Sequence, residues 1–289
     1  MTSFEEILPG TYLLKVPFGP VWTGVVLVRG KKNILIDSSH LEPEEYLLPA
    51  LDELGIKPGD IDWLLNTHVH GDHIGGHHAL VTKYGLKTAT LASAADALRD
   101  PVKVAIRVRT RFPQNSPPPQ SYLKGVEPDR LLVEGELLEG RFRALATPGH
   151  DDDCLVWIDT ETGTAFTGDS LQANGTVCQG VAFYRDLAAY HKTLAKVSAE
   201  SLNNIVCGHD YDGIGSVVTG RAAVAEALRF CAERVKVYGA RIADYVKEGV
   251  PVEEEPVTLA KRLIRDEGCG MPEKLFLALH TVSEHLREV

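Results

Sequence analysis

The sequence predicts a layered α/β fold that ends in helices, and three observations carry the prediction. Short apolar runs alternate with turns over residues 10–37, a strand, helix, strand order follows as far as Thr67, and nearly everything beyond Gly213 has helical periodicity. With 289 residues, the chain is long enough for one large domain or for one domain with a helical appendage. Hydrophobic residues make up 44% and charged residues 24%, a balance that excludes wholesale disorder and a fibrous chain.

Taken in order, Thr11 to Val16, Gly24 to Arg29 and Asn33 to Asp37 read as adjacent strands, with Pro17 to Pro20 as a loop between the first two. Glu42 to Leu54 has helical spacing with acid in its first turn, and Gly55 is placed to end it. Ile61 to Thr67 is a buried strand, Gly76 to Tyr84 a helix, and Leu86 to Leu91 another strand. Residues 92–111 return to helical character before a Pro-rich break from Pro113 to Gln120, which marks a loop or the edge of a lid. A second set of strands is expected at Arg130 to Glu134, Arg141 to Ala146, Cys154 to Thr160, Gly163 to Thr167 and Asn204 to Val206, with a helix at Leu187 to Val197. Two strand-rich halves divided near residue 130 point to a duplicated sandwich. Helices over Gly220 to Val246, Val257 to Arg265 and Pro272 to Arg287 then form a C-terminal extension over residues 216–289, beyond a catalytic domain over residues 1–215.

Charge narrows the choice of partner. A net charge of −10 is a poor match for phosphate backbones or anionic lipid, so neither nucleic acid nor a membrane is expected. No run of eighteen apolar residues occurs, and an acidic start, Met-Thr-Ser-Phe-Glu-Glu, is unlike a signal peptide, so a cytoplasmic location is expected. Five cysteines, odd in number and without a CxxC, suit reduced thiols. The unusual count is eleven histidines.

Three of those histidines fall within six residues, in Thr67-His68-Val69-His70-Gly71-Asp72-His73-Ile74-Gly75-Gly76. On an extended segment His68 and His70 point to one side, because side chains alternate along a strand. A turn at Gly71 can then swing Asp72 and His73 to a neighbouring point, which supplies two pairs of ligands for two metal ions. Imidazole nitrogen with carboxylate oxygen suits zinc, and iron or manganese at a mixed site. A lone HxH pair would read as polar surface at a helix start; the full HxHxDH set is far more specific.

Here the chain resembles the metallo-β-lactamase superfamily, and three further elements follow in that family's order. They are Thr147-Pro-Gly-His150, Phe166-Thr-Gly-Asp169 and Gly208-His209, each after a predicted strand. The resemblance covers roughly residues 10–215 and implies a four-layer αβ/βα sandwich. It assigns His68, His70 and His150 to one metal, Asp72, His73 and His209 to the second, and Asp169 to a bridge between them. Asp37 resembles the family's acid that orients a ligand from behind. The implied activity is hydrolysis of a carboxylic ester, lactone or thioester by a metal-bridging hydroxide, with Asp72 and Asp169 in catalytic roles.

Departures from the pattern bear on the subfamily. A flavodiiron-type reductase would carry glutamate at His70, a nuclease with an inserted domain would need more than the 40 residues between Asp169 and His209, and a cysteine-ligand zinc β-lactamase would have cysteine at Asp169. Glyoxalase-II-like thioesterases and quorum-quenching lactonases are nearer. Yet Asp151-Asp-Asp follows His150 where the thioesterases have glycine and histidine, and Gln172 stands where the lactonases have tyrosine, leaving Tyr184 as a candidate replacement. The alternatives are a mononuclear iron persulfide dioxygenase, a phosphodiesterase, and a non-catalytic metal-binding protein.

Substrate choice is expected to lie in an insertion over about residues 92–128. Arg99, Lys103, Arg107 and Arg111 recur every four residues there, which on one helix makes a basic stripe suited to a lid over an anionic small molecule, or to a homodimer contact. Arg107 and Arg111 are the candidate substrate residues on it. Phe18, Val21 and Trp22, in the loop between the first two strands, are candidates for an apolar wall.

Overall fold

The computed structural model describes residues 2–40, 42–270 and 275–288. Seven strands form a first sheet in sequence order: β1 (Glu5–Leu8), β2 (Thr11–Phe18), β3 (Val21–Val28), β4 (Ile34–Ile36), β5 (Trp63–Leu65), β6 (Thr88–Leu91) and β7 (Arg130–Leu132). The first four pair antiparallel and the last four parallel. Six more form a second sheet, also in sequence order: β8 (Leu137–Leu138), β9 (Phe142–Ala146), β10 (Leu155–Asp159), β11 (Thr164–Gly168), β12 (Asn204–Tyr211) and β13 (Gly215–Thr219). All its pairs are antiparallel except β11 with β12. The change of sheet falls between β7 and β8, next to the division expected near residue 130.

Alternation along the strands explains the layers. In β3, Val26 and Val28 join a core that also holds Trp157, Leu155 and Phe166 of the second sheet, while Val25 and Leu27 turn to the opposite face. In β10, Leu155 and Trp157 face the first sheet, and Val156 and Ile158 face the helices. Both faces of each sheet are covered, so these strands read as continuous apolar runs rather than as alternating ones. Trp157 is fully buried between the sheets, worth about 3 kcal/mol by area, and its Nε1 donates to the Asn66 carbonyl at 2.9 Å.

Helices α1 (Leu47–Glu53), α2 (Gly71–Ile74) and α3 (His77–Thr82) follow β4 and β5, and α1 and α3 cover the outer face of the first sheet through Leu47, Leu51 and Leu80. The helix expected from Glu42 begins only at Leu47, because Pro49 has no N–H and is tolerated only in a first turn. Helices α4 (Ala95–Arg99) and α5 (Pro101–Thr110) follow β6 and are separated at Asp100, which caps α5 by accepting from the Lys103 N–H at 3.1 Å. The single basic stripe is therefore split between two helices. On the far side, α6 (Leu187–Ser198), α7 (Arg221–Lys247), α8 (Val257–Asp266) and α9 (Leu275–Leu286) share one core with the second sheet, in which Leu194, Leu228, Leu263 and Leu279 meet Val156 and Ile205. The start expected for the last helix, at Pro272, lies outside the described residues.

Two further expectations change. Strands β2 and β3 close through Gly19 and Pro20 alone, with Phe18 paired to Val21, so Phe18, Val21 and Trp22 lie on strands and not in a loop. The segment after Gly213 is first a strand, β13, paired antiparallel with β12, and helix begins only at Arg221. Among the described residues no helix is long and apolar enough to cross a membrane.

Candidate metal centre

The strand ends build the site. β4 ends at Asp37, β5 at the His68 cluster, β9 at the loop to His150, and β11 at Asp169. His209 does not follow its strand as expected; it lies within β12, where the register with β13 shifts between Val206 and Tyr211. Glycine makes that close approach feasible: a Cβ on Gly208 would lie 2.7 Å from His73 Cε1 and 2.8 Å from Asp169 Oδ1. Gly168, at φ 48°, would set a Cβ 2.2 Å from Thr67 Oγ1.

The structure brings all seven expected residues together. His68, His70 and His150 form one group, and Asp72, His73 and His209 another, each with its donor atoms within 4.8 Å of one another. Asp169 lies between them, its Oδ2 at 3.5 Å from Nε2 of both His150 and His209 and its Oδ1 at 3.4 Å from His73 Nε2.

Behind this ring, acceptors fix the outer nitrogens. His73 Nδ1 donates to Asp37 at 2.9 Å, His150 Nδ1 to the Phe183 carbonyl at 2.7 Å, His209 Nδ1 to the Trp22 carbonyl at 2.6 Å, and His70 Nε2 to Asp151 at 3.0 Å. Asp37, expected from sequence to orient a ligand, also accepts from Thr67 N at 2.7 Å and Thr67 Oγ1 at 2.8 Å. An outer N–H leaves a lone pair on the inner nitrogen, which is the tautomer a metal needs.

The donors fit divalent cations. Inner nitrogens of His70 and His150 face each other at 3.1 Å, and two lone pairs at that distance repel unless a cation or proton lies between. His68 Nε2 and Asp169 Oδ1 are buried without a hydrogen-bond partner among the described residues. Burial, with His73 and His70 nearby, pushes the His68 imidazole well below its ordinary pKa, and burial with His70 lowers His150 to about 4. At the other group burial works against protonation, but Asp169 and Asp72 outweigh it, holding His73 well above its usual value and His209 at about 10. Protons there stand where cations would, so metal uptake would displace them.

A cleft opens onto this ring, walled by Phe18, Val21, Val69, Val181, Phe183 and Phe276, with Arg109, Gln120, Gln172 and Tyr211 as polar lining. Four candidate substrate residues do not line it. Trp22 packs against the core between the sheets, since alternation sends Val21 to the cleft instead; it serves the site through its carbonyl. Tyr184 is fully buried on the side opposite Phe183, stacked on Tyr190 with its hydroxyl 2.5 Å from His285 Nε2, so it cannot replace the absent tyrosine. Arg107 pairs with Asp151 and Asp152, and Arg111 with Glu284 at 2.7 Å. The residues that sequence reasoning passed over are Arg109, Tyr211, and Asp151 as the acceptor behind His70.

A family model described as the metallo-beta-lactamase superfamily matches residues 16–209. The chain belongs to that superfamily. Most metallo-beta-lactamase superfamily members are enzymatic hydrolases, and the fold implies divalent metal binding at His/Asp clusters of this kind. Beta-lactamase-like protein 2 homolog of Drosophila melanogaster is 30% identical over 185 residues, 64% of this chain and 56% of that protein. The hydroxyacylglutathione hydrolase of Acidiphilium cryptum is 29% identical, covering 62% of this chain and 68% of its own length, and the persulfide dioxygenase of Mus musculus is 27% identical over 72% of each. The chain spans only a little over half the length of the Drosophila relative. A metallo-beta-lactamase family protein of Thermus thermophilus superposes with a TM-score of 0.71 at 22% identity, over 98% of this chain and 94% of that one, a likeness of fold.

Proposed function

We propose that this chain is a dinuclear metallo-hydrolase that opens a carboxylic ester, lactone or thioester bond. The observation that carries the reading is the pair of donor groups meeting at Asp169, with His68, His70 and His150 to hold one divalent ion and Asp72, His73 and His209 to hold the other. The mix of imidazole and carboxylate suits zinc. Bound there, such ions supply acidification of water and polarisation of an acyl oxygen.

The chain's own residues do the rest. Phe18, Val21 and Phe183 hold an apolar acyl arm against the ring and exclude water from it. Gln172 ties two loops together, its Nε2 donating to the Asp169 carbonyl at 2.8 Å and its Oε1 accepting from Phe183 N at 2.8 Å, which keeps the carbonyl behind His150 in place. Asp72 faces the cleft, and despite burial His73 and His209 hold its carboxyl well below the usual range. It is thus ionised, the form in which a carboxylate can join His73 and His209 in holding a divalent ion.

Support from relatives is to the thioesterase side through the Acidiphilium hydroxyacylglutathione hydrolase. The test is a panel of thioesters, lactones, esters, phosphodiesters and a persulfide, run with the metal-replete protein and with Asp169→Ala and His68→Ala. The reading expects turnover of an acyl bond that falls at least about a thousandfold in either variant. Full activity in the variants, or oxygen uptake on the persulfide alone, would overturn it.

A further inference from the structure

We infer that Arg109 is the anion anchor of the cleft and that the acyl substrate carries a carboxylate. The inference rests on the hydrolase reading for the word substrate, but the anchor itself rests on charge pairing. Around Arg109 the other guanidiniums are spoken for: Arg99 pairs with Glu127 at 2.7 Å and with Asp96, Arg107 with Asp151 and Asp152, and Arg111 with Glu284 at 2.7 Å. Arg109 forms no ion pair within 4 Å among the described residues, Asp72 of the metal-binding ring being the acid that acts on it from further off, and its Nη1 is buried without a hydrogen bond there. Its guanidinium carbon lies 4.2 Å from the centre of the Phe276 ring, which fixes the group over an aromatic face while leaving its N–H edge unused.

A half-buried guanidinium with one nitrogen shut off from water and unpaired is costly to keep unless something pairs with it in the working state. Arg109 lines the same cleft as His70, Asp72 and Asp169, so its missing partner enters with the ligand. The walls beside it, Val108, Phe276 and Leu277, are apolar. One planar fork in an apolar wall matches the two oxygens of one carboxylate, whereas a phosphate dianion would leave a charge unmet. The sequence pattern hides this residue: a stripe read at every fourth position passes through 107 and 111, and the pairing of those two with acids leaves the cleft to the residue between.

Two ligands that share a three-carbon arm and one carboxylate test the anchor without requiring turnover. Glutarate has a second carboxylate to offer Arg109, and butyrate has none. Calorimetric titration of the metal-loaded protein is expected to show glutarate binding about ten to a hundred times more tightly than butyrate, the range of a charge-assisted hydrogen bond. Arg109→Met should abolish the preference, Arg109→Lys should keep part of it, and Lys103→Gln, an equal change of charge on an exposed position of the same helix, should leave it intact. In turnover, a succinyl thioester should have a KM lower than a butyryl thioester by a similar factor, and Arg109→Met should collapse that ratio. Equal binding of glutarate and butyrate by the wild type, a preference that survives Arg109→Met, or tighter binding of 4-phosphonobutyrate than of glutarate that is lost in Arg109→Met would each overturn the inference. If no acyl bond is cleaved, the hydrolase reading fails while the glutarate comparison still decides the anchor.

Discussion

Asp151 accepts hydrogen bonds from His70 Nε2 and from the guanidiniums of Arg107 and Arg185 while wholly buried. Despite the cost of burial, His70 and the two arginines hold its carboxyl well below the usual range, so it stays an acceptor and keeps His70 in one tautomer. Asp151→Asn would put a neutral amide in place of the carboxylate, leaving Arg185 without its acid and Arg107 with Asp152 alone. Metal affinity should fall about ten- to a hundredfold, as read by titration against a competing chelator, with much of the fold's stability retained. Unchanged affinity would remove Asp151 from the positioning of His70. Sequence reasoning saw this residue only as a departure from a motif, because its partners lie far along the chain: Arg107 is 44 residues before it and Arg185 is 34 after it. The seven donors were legible for the opposite reason, since each sits in a short motif with its own glycine or strand end.

Helix α9 shows what patterning alone leaves open. It is apolar on most sides, with Leu279 and Val282 in the core and Phe276 in the cleft wall, and a helix buried all round gives no periodic sign of which face meets which neighbour. Its position is set by a polar clamp: buried Glu284 accepts from Arg111 at 2.7 Å and from Leu187 N at 3.2 Å, joining α5, α6 and α9. Glu284→Ala would take from Arg111 its acidic partner and from Leu187 N, at the start of α6, its acceptor. The expected cost is about 2–4 kcal/mol, read as a lower urea midpoint, and KM should rise because Phe276 loses its support. A midpoint unchanged from wild type would show that apolar packing alone seats the helix. Among strands, β1, β8 and β13 went unread. β8 has two residues, and Gly215–Thr219 follows a turn that reads as the lead into a helix.

At the scale of the whole molecule, two sheets in sequence order press their inner faces together and turn the ends of β4, β5, β9 and β11 toward one rim. Parallel strands leave their carboxyl ends at such a rim, the usual place for a site in α/β folds. This layout was predictable because four motifs fall in order, three of them at strand ends and the fourth, Gly208-His209, within β12, each tied to the fold that positions it. The cleft walls were not, for they come from four distant segments, near residues 18–21, 105–109, 181–183 and 276–277, whose meeting no local pattern records. The central claim is that the two donor groups hold two ions and not one. Elemental analysis of the purified, metal-replete chain tests it most directly, with wild type beside His209→Ala. The account predicts close to two divalent ions per chain in the wild type and about one in the variant; a single ion in the wild type, unchanged by His209→Ala, would contradict it.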